Sequence, residues 1–292
     1  MGKLIDIDLL GRYHENIKNY IDENCDDTLD AELTTTVAVG KVPNGSKFPE
    51  GTSTKDILKA VLSFAAPTFS VLKVTVDGTD KDASFDVLCS GTALSLTAIK
   101  HKETNVGSIS TMNYKIGSDA AVVTAKSASD QTVTVSKSIT RTSKGSCKIA
   151  LNGTNTLNSA MTEKSITIGY YMPVFCYLVK AANVGSEGAG IKAALASATA
   201  RTEIYKGTQN IDENVTAEKG DVWCCAIPSN LDATAIGTQG DFGFGTQQTS
   251  GFTKYTQTRA YSSSNADTYT IYCFTFGSAQ TNLGMRLAVK AK

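Results

Sequence analysis

From Phe69 onward the apolar residues of this chain recur at every second position. A period of two puts one side of a pleated strand against a core and the other in water. Most of the chain is therefore committed to β-structure. "QTVTVSKSIT" is the clearest stretch: Val133, Val135 and Ile139 share one side, Thr132, Thr134, Ser136 and Ser138 the other. Strand-like runs also fall at Phe69–Val76, Thr92–Ile99, Ala120–Ala125 and Lys148–Leu151, separated by Gly, Asn and Asp. That rhythm predicts an Ig-like β-sandwich over residues 67–165, without the Cys…Trp…Cys pattern of true immunoglobulin domains.

"KSITIGYYMPVFCYLV" (Lys164–Val179) predicts either a long strand pair or a crossing between two β-domains. Beyond it, Gly188–Ala198 has Ile191, Leu195 and Ala198 on one helical side. Strands are expected at Thr202–Tyr205, Val222–Ile227, Thr253–Arg259, Tyr269–Phe276 and Met285–Val289. In "TYTIYCFTF" Tyr269, Ile271 and Cys273 point one way, Tyr272, Phe274 and Phe276 the other. Two apolar sides belong to a central strand covered on both, and Val222–Ile227, with the sole tryptophan Trp223, has the same character. A second, C-terminal β-sandwich over residues 166–292 follows.

The first 66 residues keep a different period. Leu10, Tyr13, Ile17 and Tyr20 are spaced by three, four and three, a coiled-coil seam of about two heptads. A helix this short is marginal alone and needs partners. After a short strand expected at Val37–Val42, "PNGSKFPEGT" carries Asn44-Gly45, Pro49 and Gly51, all turn chemistry. Ser53 then suits a helix N-cap, with Asp56 in the first turn. Ile57, Leu58, Val61 and Leu62 form the apolar stripe of that helix, and Pro67 ends it. Residues 1–66 thus read as an N-terminal helical anchor and joint.

Little in the chain points to reaction chemistry. Lysines and arginines number 28 and acids 28, so no basic excess suggests nucleic acid. No apolar run is long enough to span a membrane, and Asp6 and Asp8 interrupt what would be the core of a signal peptide. The two histidines, His14 and His101, stand in unrelated segments and read as exposed bystanders. Seven scattered cysteines without a C-x-x-C read as buried free thiols of a chain assembled in a reducing compartment. The acidic turn Asp77–Asp82 lacks the ligand series of a calcium loop and fits a solvated turn better. "GDFGFGTQQTSG" (Gly240–Gly251) precedes no plausible helix and reads as a loop rather than a nucleotide fingerprint. No catalytic residue, metal or cofactor is expected. Phe242, Phe244 and Tyr255, among Thr- and Gln-rich loops, are equally suited to a binding tip and to core filling.

The order of these parts resembles virion appendage proteins of tailed bacteriophages, especially those of crAss-like and other gut phages. The likeness rests on "LLGRYHENIKNYID", on "GTSTKDILKAVLS" leading into β-sequence, and on "GYYMPVFCYLV", "DVWCCAIPSN" and "YTIYCFTF" in the last domain. It runs over nearly the whole chain as a series of short motifs. It implies a homotrimeric head or tail fibre, assembled in the host cytoplasm and carried on the virion. Capsid or tail proteins would be its partners, with a host-surface glycan or protein as a further one. The resemblance supplies no catalytic residues, nucleic-acid contact or membrane insertion. A dedicated carbohydrate-binding adhesin and, further off, a glycan-degrading enzyme are the competing readings.

Overall fold

The structure, a computed structural model, describes residues 15–17, 19–20, 28–29, 31–36, 45–62, 66–156, 159–260 and 266–292. The chain is mainly β, arranged in several sheets.

The turn-rich joint is a small antiparallel ribbon. Strands β1 (Leu33–Thr34) and β2 (Lys47–Phe48) pair, with Leu33 opposite Phe48. Thr35 extends the ladder: its N–H donates to Ser46 O at 3.0 Å, and its Oγ1 accepts from Ser46 N at 3.0 Å. Helix α1 (Thr54–Leu62) begins where Ser53 predicts, and the Ser53 carbonyl accepts from the N–H groups of Asp56 and Ile57. The strand expected at Val37–Val42 lies outside the described residues.

Strands β3 (Phe69–Val76), β4 (Thr79–Lys81), β5 (Phe85–Leu88), β6 (Leu94–Glu103), β7 (Ile109–Ile116), β8 (Val122–Val123), β9 (Gln131–Ile139), β10 (Gly145–Asn155) and β11 (Lys164–Tyr171) follow. They form two sheets, ordered β4-β3-β6-β9 and β5-β11-β10-β7-β8. Alternating burial along β9, and along β3 from Leu72, matches the period of two read from the sequence. Asp77 and Gly78 both have positive φ, 47° and 75°, the backbone of a tight two-residue hairpin between β3 and β4. The Asp77 carboxylate accepts from Ser95 N and that of Asp80 from Thr75 Oγ1, each at 2.7 Å. The strand expected at Ala120–Ala125 shrinks to Val122–Val123, whose side chains are exposed and find no core.

The rest of the chain forms β12 (Phe175–Val179), α2 (Ala189–Ala194), β13 (Gln209–Ala217), β14 (Val222–Pro228), β15 (Leu231–Thr238), α3 (Gln239–Phe244), β16 (Thr253–Ala260), β17 (Ala266–Thr275) and β18 (Gln280–Ala291). Their two sheets are ordered β12-β14-β17-β16 and β13-β18-β15. β11 and β12 belong to different sheets, so Lys164–Val179 is a crossing and not a hairpin. Thr202–Tyr205 is not a strand. Arg201 donates to Tyr205 Oη at 3.1 Å and to Glu203, drawing this segment into a local turn before β13 starts at Gln209.

By contact density the chain divides into two compact units, residues 1–73, 99–134 and 149–165, and residues 74–98, 135–148 and 166–292. In the first, Gly153 lies against the Thr111 carbonyl, the Met161 sulfur and the Phe69 ring, which leaves no room for a Cβ. In the second, two hydrophobic clusters lie on either side of β14 and β17. Trp223, Cys225, Ile227, Tyr272 and Phe276 join residues of β13, β15 and β18 in one cluster. Val222, Cys224, Ala226, Tyr269, Ile271 and Cys273 join Ile191 and Leu195 of the α2 segment in the other. Every residue of β14 is buried, as two apolar sides require.

Candidate functional site

The described chemistry concentrates at four places, each set by a local rule of folding. The first is the short helix α3. Thr238 Oγ1 accepts from Asp241 N at 3.2 Å, and the Asp241 carboxylate accepts from Thr238 N at 2.7 Å, a reciprocal capping box. These bonds hold the Asp241 carboxyl below its ordinary range, the bond to the Thr238 backbone contributing most. Gly245, at φ 73°, closes the helix. Gly240–Gly251 is therefore partly helical, against the loop expected from its glycines.

The helix rests on the outer side of the β13-β18-β15 sheet, where Gly284 and Gly237 make room for Gln239 and Asp241. Arg286 of β18 forms two 2.6 Å hydrogen bonds to the carboxylate of Asp212 on β13. Its guanidinium lies 5.4 Å from the centre of the Phe242 ring. The carboxylate fork raises the Arg286 pKa. Phe242 is half-buried under that contact, whereas Phe244 is 87% exposed.

Tyr255 occupies a different place. It lies on β16, half-buried against the α2 cluster, with the Lys192 ammonium 5.5 Å from its ring centre. Phe242 and Phe244 thus share one helix, and Tyr255 lies on the opposite outer layer. Trp223 is fully buried, and its indole belongs to the core.

Of the residues read as an anchor, Ile57 is buried and Leu58 is exposed. The side chains of Val61 and Leu62, and all of Leu10 and Tyr13, lie outside those described. Residues 15–17 and 19–20 are helical. Ile17 is half-exposed there and Tyr20 is 64% exposed.

The second place differs from the exposed histidine that the sequence suggests. His101 is fully buried and pairs with Glu103, also buried, through Nδ1 and Oε1. His101 Nε2 meets Thr124 Oγ1 at 3.3 Å, and Ser127 N donates to Glu103 Oε2 at 2.9 Å. The flanking lysines suggest an exposed segment, yet the burial of β6 changes phase at Ala98. Leu94 and Leu96 are buried, then Ile99, His101 and Glu103. Two buried polar side chains on one side of a strand satisfy each other.

The third place is the turn before β14. The Asp221 carboxylate accepts from Lys180 Nζ at 2.8 Å, Glu218 N at 2.9 Å and Ala181 N at 3.0 Å. The Lys180 bond leads in lowering its pKa to about 2. The fourth is the set of thiols on β12, β14 and β17. Cys224, Cys225 and Cys273 are buried and Cys176 is partly buried. Cys89 and Cys147, elsewhere in the chain, are buried too, and none of these six cysteines is in a disulfide. Cys25 lies outside the described residues.

Among the described residues, no three His, Cys, Asp or Glu side chains gather as a metal site. No described helix is long and apolar enough to cross a membrane. Compared with known proteins, no family model, curated sequence or solved structure matches the chain.

Proposed function

We propose that the chain is a structural virion protein of a tailed phage, a homotrimeric fibre anchored by residues 1–66 with its β-domains outward. On this reading residues 67–165 are an Ig-like sandwich and residues 166–292 a second sandwich. The observation that carries the proposal is the run of motifs already quoted, from "LLGRYHENIKNYID" to "YTIYCFTF". The β-rich build and the position of α1 just ahead of β3 in the chain support a helical joint leading into β-domains. The half-exposed Ile17 and exposed Tyr20 leave apolar surface for sister chains to cover.

Removing residues 1–63 is expected to leave a folded β-fragment that no longer joins the particle. Efficient incorporation of that fragment would overturn the orientation. Mass measurement in solution tests the trimer, and a monomeric full-length chain would count against it.

The exposed ring of Phe244 supports a second role, adhesion to a host-surface glycan or protein. Glycan-array binding that is lost in Phe244→Ser but kept in Tyr255→Ser would support a receptor contact at α3. Silence of the intact protein on the array, with normal particle incorporation, would leave the structural role alone.

A further inference from the structure

β14 carries two adjacent cysteines that cannot bond to each other without strain. The pleat sends them to opposite sides of the sheet, and each meets a cysteine on a neighbouring strand. Cys225 is directly opposite Cys176 of β12, with the sulfurs 3.2 Å apart. Cys224 is directly opposite Cys273 of β17, with the sulfurs 3.9 Å apart. Directly opposed residues of antiparallel strands have Cα atoms about 4.5–5.5 Å apart, inside the span of about 4.4–6.8 Å that a disulfide bridges. Both pairs thus have backbone spacing suited to a bond.

Access separates them. Cys224 and Cys273 are both buried, whereas Cys176 is half-exposed beside its buried partner Cys225. Arg201 interacts electrostatically with Cys176. Burial pushes the Cys225 thiol well above its ordinary pKa, so it remains protonated until a partner arrives. A partly buried cysteine on an edge strand and a buried sulfur within reach are the two parts of a dithiol that closes in sequence.

We propose that Cys176 and Cys225 form an oxidisable cross-strand dithiol, closed to a disulfide by a small-molecule disulfide such as oxidised glutathione. The Cys176 thiolate attacks one glutathione sulfur, breaking the S–S bond and releasing one glutathione thiolate. Cys225 then attacks Cys176 Sγ, forming the protein disulfide and releasing the second glutathione toward solvent. The two thiol protons pass to the two glutathione thiolates. The protein dithiol loses two electrons and the glutathione disulfide gains them. β12 is the edge strand of its sheet and β14 an interior one, so the bond pins the edge covalently to the core.

The test uses the full-length wild-type chain, purified under reduction and then exposed to oxidised glutathione. Intact mass should fall by two hydrogens, and non-reducing peptide mapping should join Cys176 to Cys225. Cys176→Ser should abolish the link, and Cys224→Ser, its circular dichroism matching wild type, should retain it. A glutathione adduct that persists on Cys176, a link through Cys224 or Cys273, or no reaction would each overturn the proposal. None of these outcomes depends on whether the chain belongs to a virion.

Discussion

Glu213 Oε2 accepts the indole N–H of Trp223 at 3.0 Å, joining strands of two different sheets. Glu213 stands in the inward row of β13 between Ile211 and Val215, where an apolar residue would be expected. Its position follows from Trp223, which is fully buried and needs a partner for its one donor. Trp223→Phe keeps most of the ring but leaves the carboxylate without that donor. It should cost about 1–3 kcal/mol. Trp223→Ala adds a cavity and should cost about 3–5 kcal/mol. Urea unfolding followed by far-UV circular dichroism checks both, and an unchanged stability of Trp223→Phe would show that the hydrogen bond contributes little beyond packing.

The His101–Glu103 pair predicts a large effect from a small change. His101→Leu preserves bulk but leaves Glu103 buried with Ser127 N–H as its remaining described donor. Breaking a buried pair from one side costs about 3–5 kcal/mol. The double variant His101→Leu/Glu103→Leu removes both polar groups and should recover much of that loss. Thermal melts of the two variants give the comparison.

Gly190 of α2 faces the backbone carbonyls of Asn183 and Val184, with its own N–H bonded to Val184 O at 3.0 Å. A methyl there meets backbone, which cannot rotate away. Gly190→Ala should therefore lift α2 from its sheet at a cost of about 1–3 kcal/mol. Trp223, the sole tryptophan, reports unfolding of this region by fluorescence. A lower midpoint with an unchanged denaturant slope is the expected signature.

Asp221 predicts a pH dependence. Its folded pKa is about 2 against an ordinary 3.8, so folding favours the ionised form. The resulting stability is fully present above the ordinary value and is lost as pH falls from about 4 to about 2. Asp221→Asn removes that titration. The variant should be less stable than wild type at neutral pH, and its midpoint should fall less steeply across the acid window. Denaturant midpoints measured through that window provide the check, and parallel curves would refute the assignment.

The parts legible in the sequence are those where one rule acts alone. Tyr269, Ile271 and Cys273 separate from Tyr272, Phe274 and Phe276 as alternation requires, because β17 is covered on both sides. The start of α1 directly after Ser53 is legible because the signals that begin a helix are local in sequence. His101 was hidden because β6 changes phase at Ala98, and a strict period of two turns the histidine outward. Helix α3 was hidden by its glycines, although Thr238 and Asp241 carry the threefold spacing of a capping box. The fork between Arg286 and Asp212, and both cysteine pairs, depend on strand register. Residues far apart in sequence meet only once the ladder is known.

β18 has a mechanical consequence. It runs antiparallel between β13 and β15, with paired residues along most of its length on both sides. Inter-strand bonds in such a ladder lie across the strand direction. A force drawn along β18 loads both rows in shear, so the bonds resist together and must yield almost at once. The same force applied crosswise at one end would open them one after another. The sheet is accordingly stiffest along the axis of its middle strand, and a load carried through the C-terminal strand meets the fold in its strongest direction.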